Sequence, residues 1–271
     1  MRKSIFEIEN RLDINKEFRS IIDTLSEENT IYYNGTSMSF FMFLNRHVFN
    51  LWKYRDTFIE LKDYFEFIGI DESTLNGYRK VDEEAFLNFL ELLINLMKVI
   101  DKDIGLDEID FENLKVEKIL PHNIPLILEK MNYELYFDED KICIRKRDAD
   151  VDSVLNLVPE DISLLLLSYN DIRNNNIDSK KTILKKIDLY IDSNKQKYKS
   201  IGKELLDSID TIVNKMGINH KPDESPYNKL TETELCVWYD KCFKMMIHLI
   251  RTEEIIEIKK ERNNLVKETE N

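Results

Sequence analysis

The chain has 271 residues, a net charge of −13, and only 6 glycines and 5 prolines. Its length suggests one large domain or two smaller ones, and the scarcity of turn-forming residues argues against a many-stranded β fold. The acidic charge disfavours general attraction to nucleic acid or anionic lipid. The cysteines are odd in number and far apart, acidic residues begin at Glu7, and no apolar run reaches about 18 residues. We therefore expect a soluble, cytoplasmic protein without disulfides, a signal peptide or a membrane span.

Apolar residues recur at helical spacing through the first hundred residues. The first helical region is outlined by Ile5, Ile8, Leu12, Ile21, Ile22 and Leu25. Residues 33–36 contain Asn-Gly and predict a turn, after which Ser37 or Ser39 can cap a helix. Aromatic residues at helical spacing predict one long helix over residues 40–68, ended by Gly69. Asp82 can cap a second, strongly apolar helix that reaches Ile100, and we expect this helix to be central.

A polar stretch at residues 101–123 is the best candidate for a domain boundary. It divides the chain into an aromatic-rich helical lobe (residues 1–115), a hairpin with a C-terminal helical bundle (residues 120–262) and a polar tail (residues 263–271). A short helix is predicted at 124–131. The runs YELYF and ICIRKR, on either side of residues 138–141, then predict a β-hairpin. Because a lone hairpin is marginal in water, it must lie against helices.

Four helical segments follow the hairpin and predict an antiparallel bundle, because their connections are short. Asp178 or Ser179 can cap the second of these helices, and Thr231 with Glu234 forms a capping-box pattern at the start of the last. From Glu253 onward the apolar density falls, which indicates a solvated or frayed extension. The predicted fold is therefore all-α with one small β-hairpin, in two helical lobes.

The sequence contains no Gly-rich phosphate loop, paired-cysteine motif, His-Glu-x-x-His or nucleophile elbow. Asp101, Asp103, Asp107 and Glu112 have the spacing of a calcium loop, but the required glycine is displaced to Gly105. This stretch is better explained as a solvated acidic linker. Cys236 and Cys242 lie six residues apart, almost two helical turns, so they cannot share a metal unaided. We predict neither a metal nor a cofactor.

His220 is the candidate catalytic residue, because it follows the end of an amphipathic helix. A helix C-terminus favours the protonated imidazole, and Asn214, Lys215 and Asn219 stand close by in the sequence. Such a histidine can exchange a proton beside a phosphate. The alternative is a capping histidine that satisfies the last carbonyls of the helix.

Several segments resemble the C-terminal halves of bacterial abortive-infection proteins of the AbiJ type and the HEPN superfamily. They are YELYF at the hairpin, Asp178 with Lys180-Lys181, residues 214–220, and Glu234-Leu235 with Trp238-Tyr239-Asp240. The resemblance covers residues 120–260. It implies a HEPN-like helical bundle that dimerises and, in many members, a metal-independent endoribonuclease. In that family an arginine stabilises the phosphate charge, and a histidine four to six residues away moves the proton of the ribose hydroxyl.

The chain departs from this pattern at the arginine. Positions 213–215 hold Val, Asn and Lys, and lysine supplies charge without the planar fork of arginine. Two functions therefore stand side by side. The first is an RNA-cutting or RNA-binding effector of an anti-phage or toxin–antitoxin system, with His220, Lys215, Asn214 and Asn219 at its site.

The second function is a non-catalytic scaffold, sensor or interaction protein. Its surface would be the N-terminal aromatic residues, covered by a second copy, by a partner protein or by the lobe itself. These residues are Phe40, Phe41, Phe43, Trp52, Tyr54 and Tyr64. Neither function requires a membrane or DNA.

Overall fold

A computed structural model describes residues 12–111, 120–219 and 230–269. The described chain is mainly helical, with two small antiparallel sheets. It divides into two compact units, an N-terminal unit (Met1–Ile144) and a C-terminal unit (Arg145–Asn271). The boundary predicted between residues 115 and 120 falls on residues outside these ranges and stays a prediction. No helix in the described ranges has a stretch that is both long and apolar enough to cross a membrane.

The N-terminal unit contains six α-helices, counted over its described residues. They are α1 (Ile14–Ser26), α2 (Phe40–Phe43), α3 (Leu61–Phe67), α4 (Glu72–Leu75), α5 (Glu83–Val99) and α6 (Leu120–Lys130). Helix α1 begins where Asp13 accepts hydrogen bonds from the backbone N–H groups of Asn15 and Lys16. Its buried stripe includes Phe18, whose ring meets the edge of Phe89 on α5 at a centroid distance of 5.2 Å. The predictions at Ile5 and Ile8 lie outside the described residues.

The predicted long helix over residues 40–68 is wrong. Helix α2 continues as a π-helix (Leu44–Val48) and a 3-10 helix (Phe49–Leu51), and the chain becomes irregular before α3. Side chains bind the backbone here: Asn45 accepts a hydrogen bond from the N–H of Leu61 at 3.0 Å, and Arg55 donates to the carbonyl of Phe58. These side-chain bonds, one long-range and one local, satisfy backbone groups outside a helix, and apolar spacing alone does not reveal them. The predicted stop at Gly69 is confirmed, since it has φ +87° and its N–H donates to the carbonyl of Glu66.

The prediction of a single β-hairpin is also incomplete, because the N-terminal unit has a second small sheet. Its strands are β1 (Ile31–Tyr33), β2 (Thr36–Met38) and β3 (Asp110–Phe111), in the order β2-β1-β3. The predicted turn is correct, since Asn34 and Gly35 both have positive φ as an Asn-Gly hairpin turn requires. The strands were missed because they are only two or three residues long. Ser39 caps α2, as one of the two predicted serines.

Helix α5 is central to the N-terminal unit, as predicted. The Asp82 side chain accepts a hydrogen bond from the N–H of Ala85 at 2.8 Å and starts the helix. Nearly every side is covered, so that even Glu91 and Asn95 are buried. The predicted hairpin is confirmed as β4 (Tyr133–Asp138) and β5 (Lys141–Lys146). Its residues Ile142 and Ile144 are bound to polar side chains of α5, so the hairpin lies against a helix.

The C-terminal unit contains five α-helices among its described residues. They are α7 (Ala149–Asp152), α8 (Glu160–Tyr169), α9 (Ile177–Ser193), α10 (Lys195–Lys215) and α11 (Glu232–Thr269). Helices α8 to α11 share one apolar core, which includes Leu166, Leu184, Leu206 and Leu249. This confirms a four-helix cluster after the hairpin. Its identification as a HEPN-like bundle stays a prediction.

The helix ends of the C-terminal unit test the predicted caps. Asn176, and neither Asp178 nor Ser179, caps α9 by accepting a hydrogen bond from the N–H of Ser179 at 2.9 Å. The capping box of α11 is confirmed: Glu234 accepts from the N–H of Thr231 at 2.8 Å, and the Thr231 hydroxyl accepts from the N–H of Glu234 at 3.3 Å. Helix α10 is kinked at Gly202, whose φ is −125°.

Candidate functional site

The end of α10 leads to the residues predicted as a catalytic site. Gly217 has φ +74°, and the N–H of Ile218 donates to the carbonyl of Val213 at 3.2 Å. This is the glycine-based C-cap that satisfies the last carbonyls of a helix without a histidine. His220 itself lies outside the described residues. Its predicted role as a capping or catalytic residue therefore stays a prediction.

The three other predicted site residues have different surroundings. Asn214 and Lys215 are exposed on the last turn of α10, and Asn214 donates to the carbonyl of Asp210 at 2.8 Å. Asn219 is partly buried and donates to the carboxylate of Asp188 on α9 at 2.9 Å. Asn219 is thus tied to α9, while Asn214 and Lys215 face solvent.

The surroundings of Asn219 are rich in carboxylates. Asp188 is 3% exposed, and burial raises its pKa, with Asp192 and Asp210 raising it further. Lys195 lies 2.7 Å from Asp210 and 3.2 Å from Asp192. Lys195 is therefore shared by the carboxylates of Asp192 and Asp210, and the buried carboxylate of Asp188 lies in the same cluster. Such a field repels a phosphate group, which counts against RNA binding at this part of the predicted site.

A second polar group lies among α8, α9 and α11. The Tyr169 hydroxyl donates to Asp240 at 2.9 Å, and Lys180 approaches the same carboxylate oxygen at 2.7 Å. Tyr169 also stacks on Phe243 with a centroid distance of 3.8 Å. Burial raises the pKa of Tyr169 and so makes its hydroxyl a weak acid, with Asp240 adding to the effect. This group fits a tie between three helices better than a proton-transfer site.

The C-terminal half of α11 is a regular helix that carries exposed apolar side chains. The helix stays regular to Thr269, and from Glu254 to Leu265 its side chains are exposed except that of Ile256, which is partly buried. Three apolar residues nevertheless stand on it: Ile255 is 46% exposed, Ile258 62% and Leu265 63%. A solvated extension was predicted here, and the exposure agrees with that. The remaining apolar stripe was missed.

The missed stripe has a signal in the sequence. Ile255, Ile258, Arg262 and Leu265 are separated by three, four and three residues, which is the spacing of positions a and d in a heptad repeat. The six aromatic residues predicted as a surface of the N-terminal lobe are covered to different degrees: Phe40, Phe43 and Trp52 are buried within their own unit, and Phe41, Tyr54 and Tyr64 are partly buried. An exposed apolar surface of the described chain is therefore found at α11.

Comparison with known proteins found no protein-family model that matches the chain, no curated protein similar to it and no solved structure similar to it.

Proposed function

We propose that this chain is a non-catalytic interaction protein that pairs with a second copy of itself through the C-terminal half of α11. The observation that carries the proposal is the exposed stripe of Ile255, Ile258 and Leu265 on a regular helix. A helix that is already formed loses little conformational entropy on pairing. Burying apolar side chains that are about half exposed supplies the favourable free energy.

The charges beside the stripe favour a parallel pair of identical helices. With Ile255 at position a, Glu254 occupies g and Lys259 occupies e. In a parallel pair a g residue faces the e residue of the partner helix five positions later, so Glu254 of one copy meets Lys259 of the other. In an antiparallel pair, g residues face each other, and Glu254 and Glu261 would repel their counterparts. The charges of two copies are thus complementary when their α11 helices run parallel.

The expected affinity is modest. Full burial of an isoleucine or leucine side chain contributes about 1.5–3 kcal/mol, and the three side chains are about half exposed, so each copy contributes roughly 2.5–5 kcal/mol. Association costs about 4–15 kcal/mol in lost freedom, and Arg262 at an inner position adds a further cost. The two copies together contribute roughly 5–10 kcal/mol, so at most about 6 kcal/mol remains after the smallest association cost, which corresponds to a dissociation constant of tens of micromolar or weaker.

Sedimentation equilibrium from about 5 to 500 µM tests the proposal. We expect the average mass to rise above the 32.4 kDa of one chain as concentration increases. Ile258→Gln should raise the dissociation constant at least tenfold, whereas Lys260→Gln, the same new residue on the opposite helix face, should leave it unchanged. A chain that stays monomeric at the highest concentration, or an Ile258→Gln variant that dimerises like the wild type, would refute the proposal.

Charge exchange tests the orientation separately. Glu254→Lys should weaken pairing, and adding Lys259→Glu should restore it, because the exchanged pair again carries opposite charges. A dimer that the double variant does not restore would exclude the parallel arrangement. The defence setting and the RNA-cutting activity implied by the resemblance stay predictions, and growth and RNA integrity on expression of wild type and His220→Ala would test them.

A further inference from the structure

A concave pocket of about 200 Å³ lies within the N-terminal unit. Its wall comes from the last turn of α5, the helical turn that follows, the segment around Trp52, and the turn of the β4–β5 hairpin. A water molecule occupies about 30 Å³ in the liquid, so the space equals roughly six or seven waters. Typical sites for larger organic ligands measure about 300–1,000 Å³. The pocket therefore fits part of a small metabolite.

Three lysines from two distant parts of the sequence converge on one aspartate in this pocket. The Lys53 ammonium lies 2.8 Å from the carboxylate of Asp140, and that of Lys102 lies 3.6 Å from the same oxygen. Lys98 donates to the backbone carbonyl of Asp140 at 2.6 Å. Asp103 is the only other acidic residue among those that line the pocket. Three cations and two anions leave an excess of one positive charge, in a chain whose net charge is −13.

The wall of the pocket also carries aromatic surface. Tyr54 lines it, and the Lys53 ammonium lies 5.0 Å from the centre of the Tyr54 ring. Lys141 lies 5.9 Å from the same ring centre. Trp52 adds an apolar, almost fully buried part of the wall. Aromatic rings beside basic groups are the combination that holds a flat base and its phosphate.

We propose that this pocket binds a small phosphorylated ligand with an aromatic ring, of the nucleoside monophosphate class. The phosphate takes the position beside Lys53, Lys98 and Lys102, where it competes with the Asp140 carboxylate. The ring lies against Tyr54. This site is separate from α11, so it does not depend on the proposed self-association.

Isothermal titration of the full chain with AMP, adenosine and inorganic phosphate tests the site. We expect AMP to bind best, because it alone combines the phosphate with the ring, and binding should weaken as salt rises. Lys102→Gln should weaken AMP binding about three- to tenfold, since it removes one exposed cation. Asp140→Asn should strengthen binding by a similar factor, because it removes the competing anion. Lys80→Gln, an exposed lysine of the same unit outside the pocket, is the matched control and should change nothing.

The opposite signs at Lys102 and Asp140 distinguish a ligand site from a structural ion pair. If the Lys102–Asp140 ion pair were purely structural, both substitutions would lower thermal stability, and they would not change AMP binding in opposite directions. No AMP binding up to about 10 mM would overturn the proposal. Adenosine binding as tightly as AMP would overturn the role of the phosphate, and equal binding by wild type and the Lys102 and Asp140 variants would place any binding elsewhere.

Discussion

Replacing Asn95 by leucine removes a polar clamp between α5 and the hairpin. The Asn95 amide donates to the carbonyl of Ile142 at 2.7 Å and accepts from the N–H of the same residue at 3.0 Å. Asn95 is 2% exposed, so water cannot take over these bonds. Leucine keeps the branched shape of asparagine but is larger and a better helix former, so the loss of the hydrogen bonds is measured against a control that makes the same change elsewhere on α5.

The cost follows from the two backbone groups of Ile142 that lose their partners. An unsatisfied buried donor or acceptor costs about 1–3 kcal/mol, and the added apolar surface of leucine offsets part of the total. We expect the free energy of unfolding to fall by about 2–4 kcal/mol. The carbonyl of Glu91, which also accepts from Asn95 at 2.8 Å, lies within α5 and adds little.

Urea unfolding followed by circular dichroism measures this loss, and hydrogen exchange of the Ile142 amide locates it. Asn88→Leu is the matched control, because it makes the same change at a partly exposed position of the same helix. A loss below about 1 kcal/mol, or one equal to that of Asn88→Leu, would refute the reasoning.

Two further predictions concern the core of the C-terminal unit. Burial raises the pKa of Asp188 above its ordinary value of 3.8, so the folded state binds this proton more readily than the unfolded state, and stability falls as pH rises through the raised pKa. Asp188→Asn keeps an acceptor for Asn219, and it should raise stability at pH 7 and flatten this dependence; unfolding curves at acidic and neutral pH that match the wild type would contradict this. Burial raises the pKa of Cys242 to about 12, whereas Cys236 is only partly buried. Iodoacetamide at mild pH should therefore modify Cys236 first and leave Cys143 and Cys242 intact until unfolding; mass spectrometry of the peptides shows the order, and early modification of Cys242 would exclude its burial.

Local signals in the sequence predicted much of the secondary structure. Asp82, Ser39 and the pair of Thr231 and Glu234 cap helices because their short polar side chains reach nearby N–H groups, and these contacts span only three residues. The β4–β5 hairpin was also predicted from a local signal, two β-prone runs on either side of a turn. The break after α2 has no such local signal, because it depends on the hydrogen bond between Asn45 and Leu61, which are sixteen positions apart. The π and 3-10 segments that replace the α-helix are only five and three residues long, too short for their different periods to show in the apolar spacing.

The candidate sites also differ in whether a local signal in the sequence reveals them. The heptad spacing of Ile255, Ile258 and Leu265 could be found in the sequence, whereas their exposure depends on which face of α11 the core covers. The lysine pocket has no local signal, because Lys53, Lys98 and Asp140 lie more than forty positions apart from one another. Only the packing of the hairpin on α5 brings them together.

That packing follows from a match between two repeat distances. Glu91 and Asn95 are four residues apart on α5, which corresponds to about 6 Å along a helix, and Ile144 and Ile142 are two apart on β5, about 6.6 Å along a strand. Glu91 accepts from the N–H of Ile144 at 2.9 Å, as Asn95 does from Ile142, so two steps along the strand correspond to four along the helix in the opposite direction.

Two further residues along the chain from Ile142 lead to Asp140, and four further residues along the helix from Asn95 lead to Val99, so these two residues are the next pair. Lys98 lies beside Val99 and donates to the carbonyl of Asp140, and Lys102 lies one turn further on. The position of the pocket aspartate among its lysines is therefore set by the polar clamp two residues away. Asn95→Leu should accordingly strengthen AMP binding, as Asp140→Asn does, under conditions where the variant remains folded, because the competing carboxylate of Asp140 loses its fixed position among the lysines.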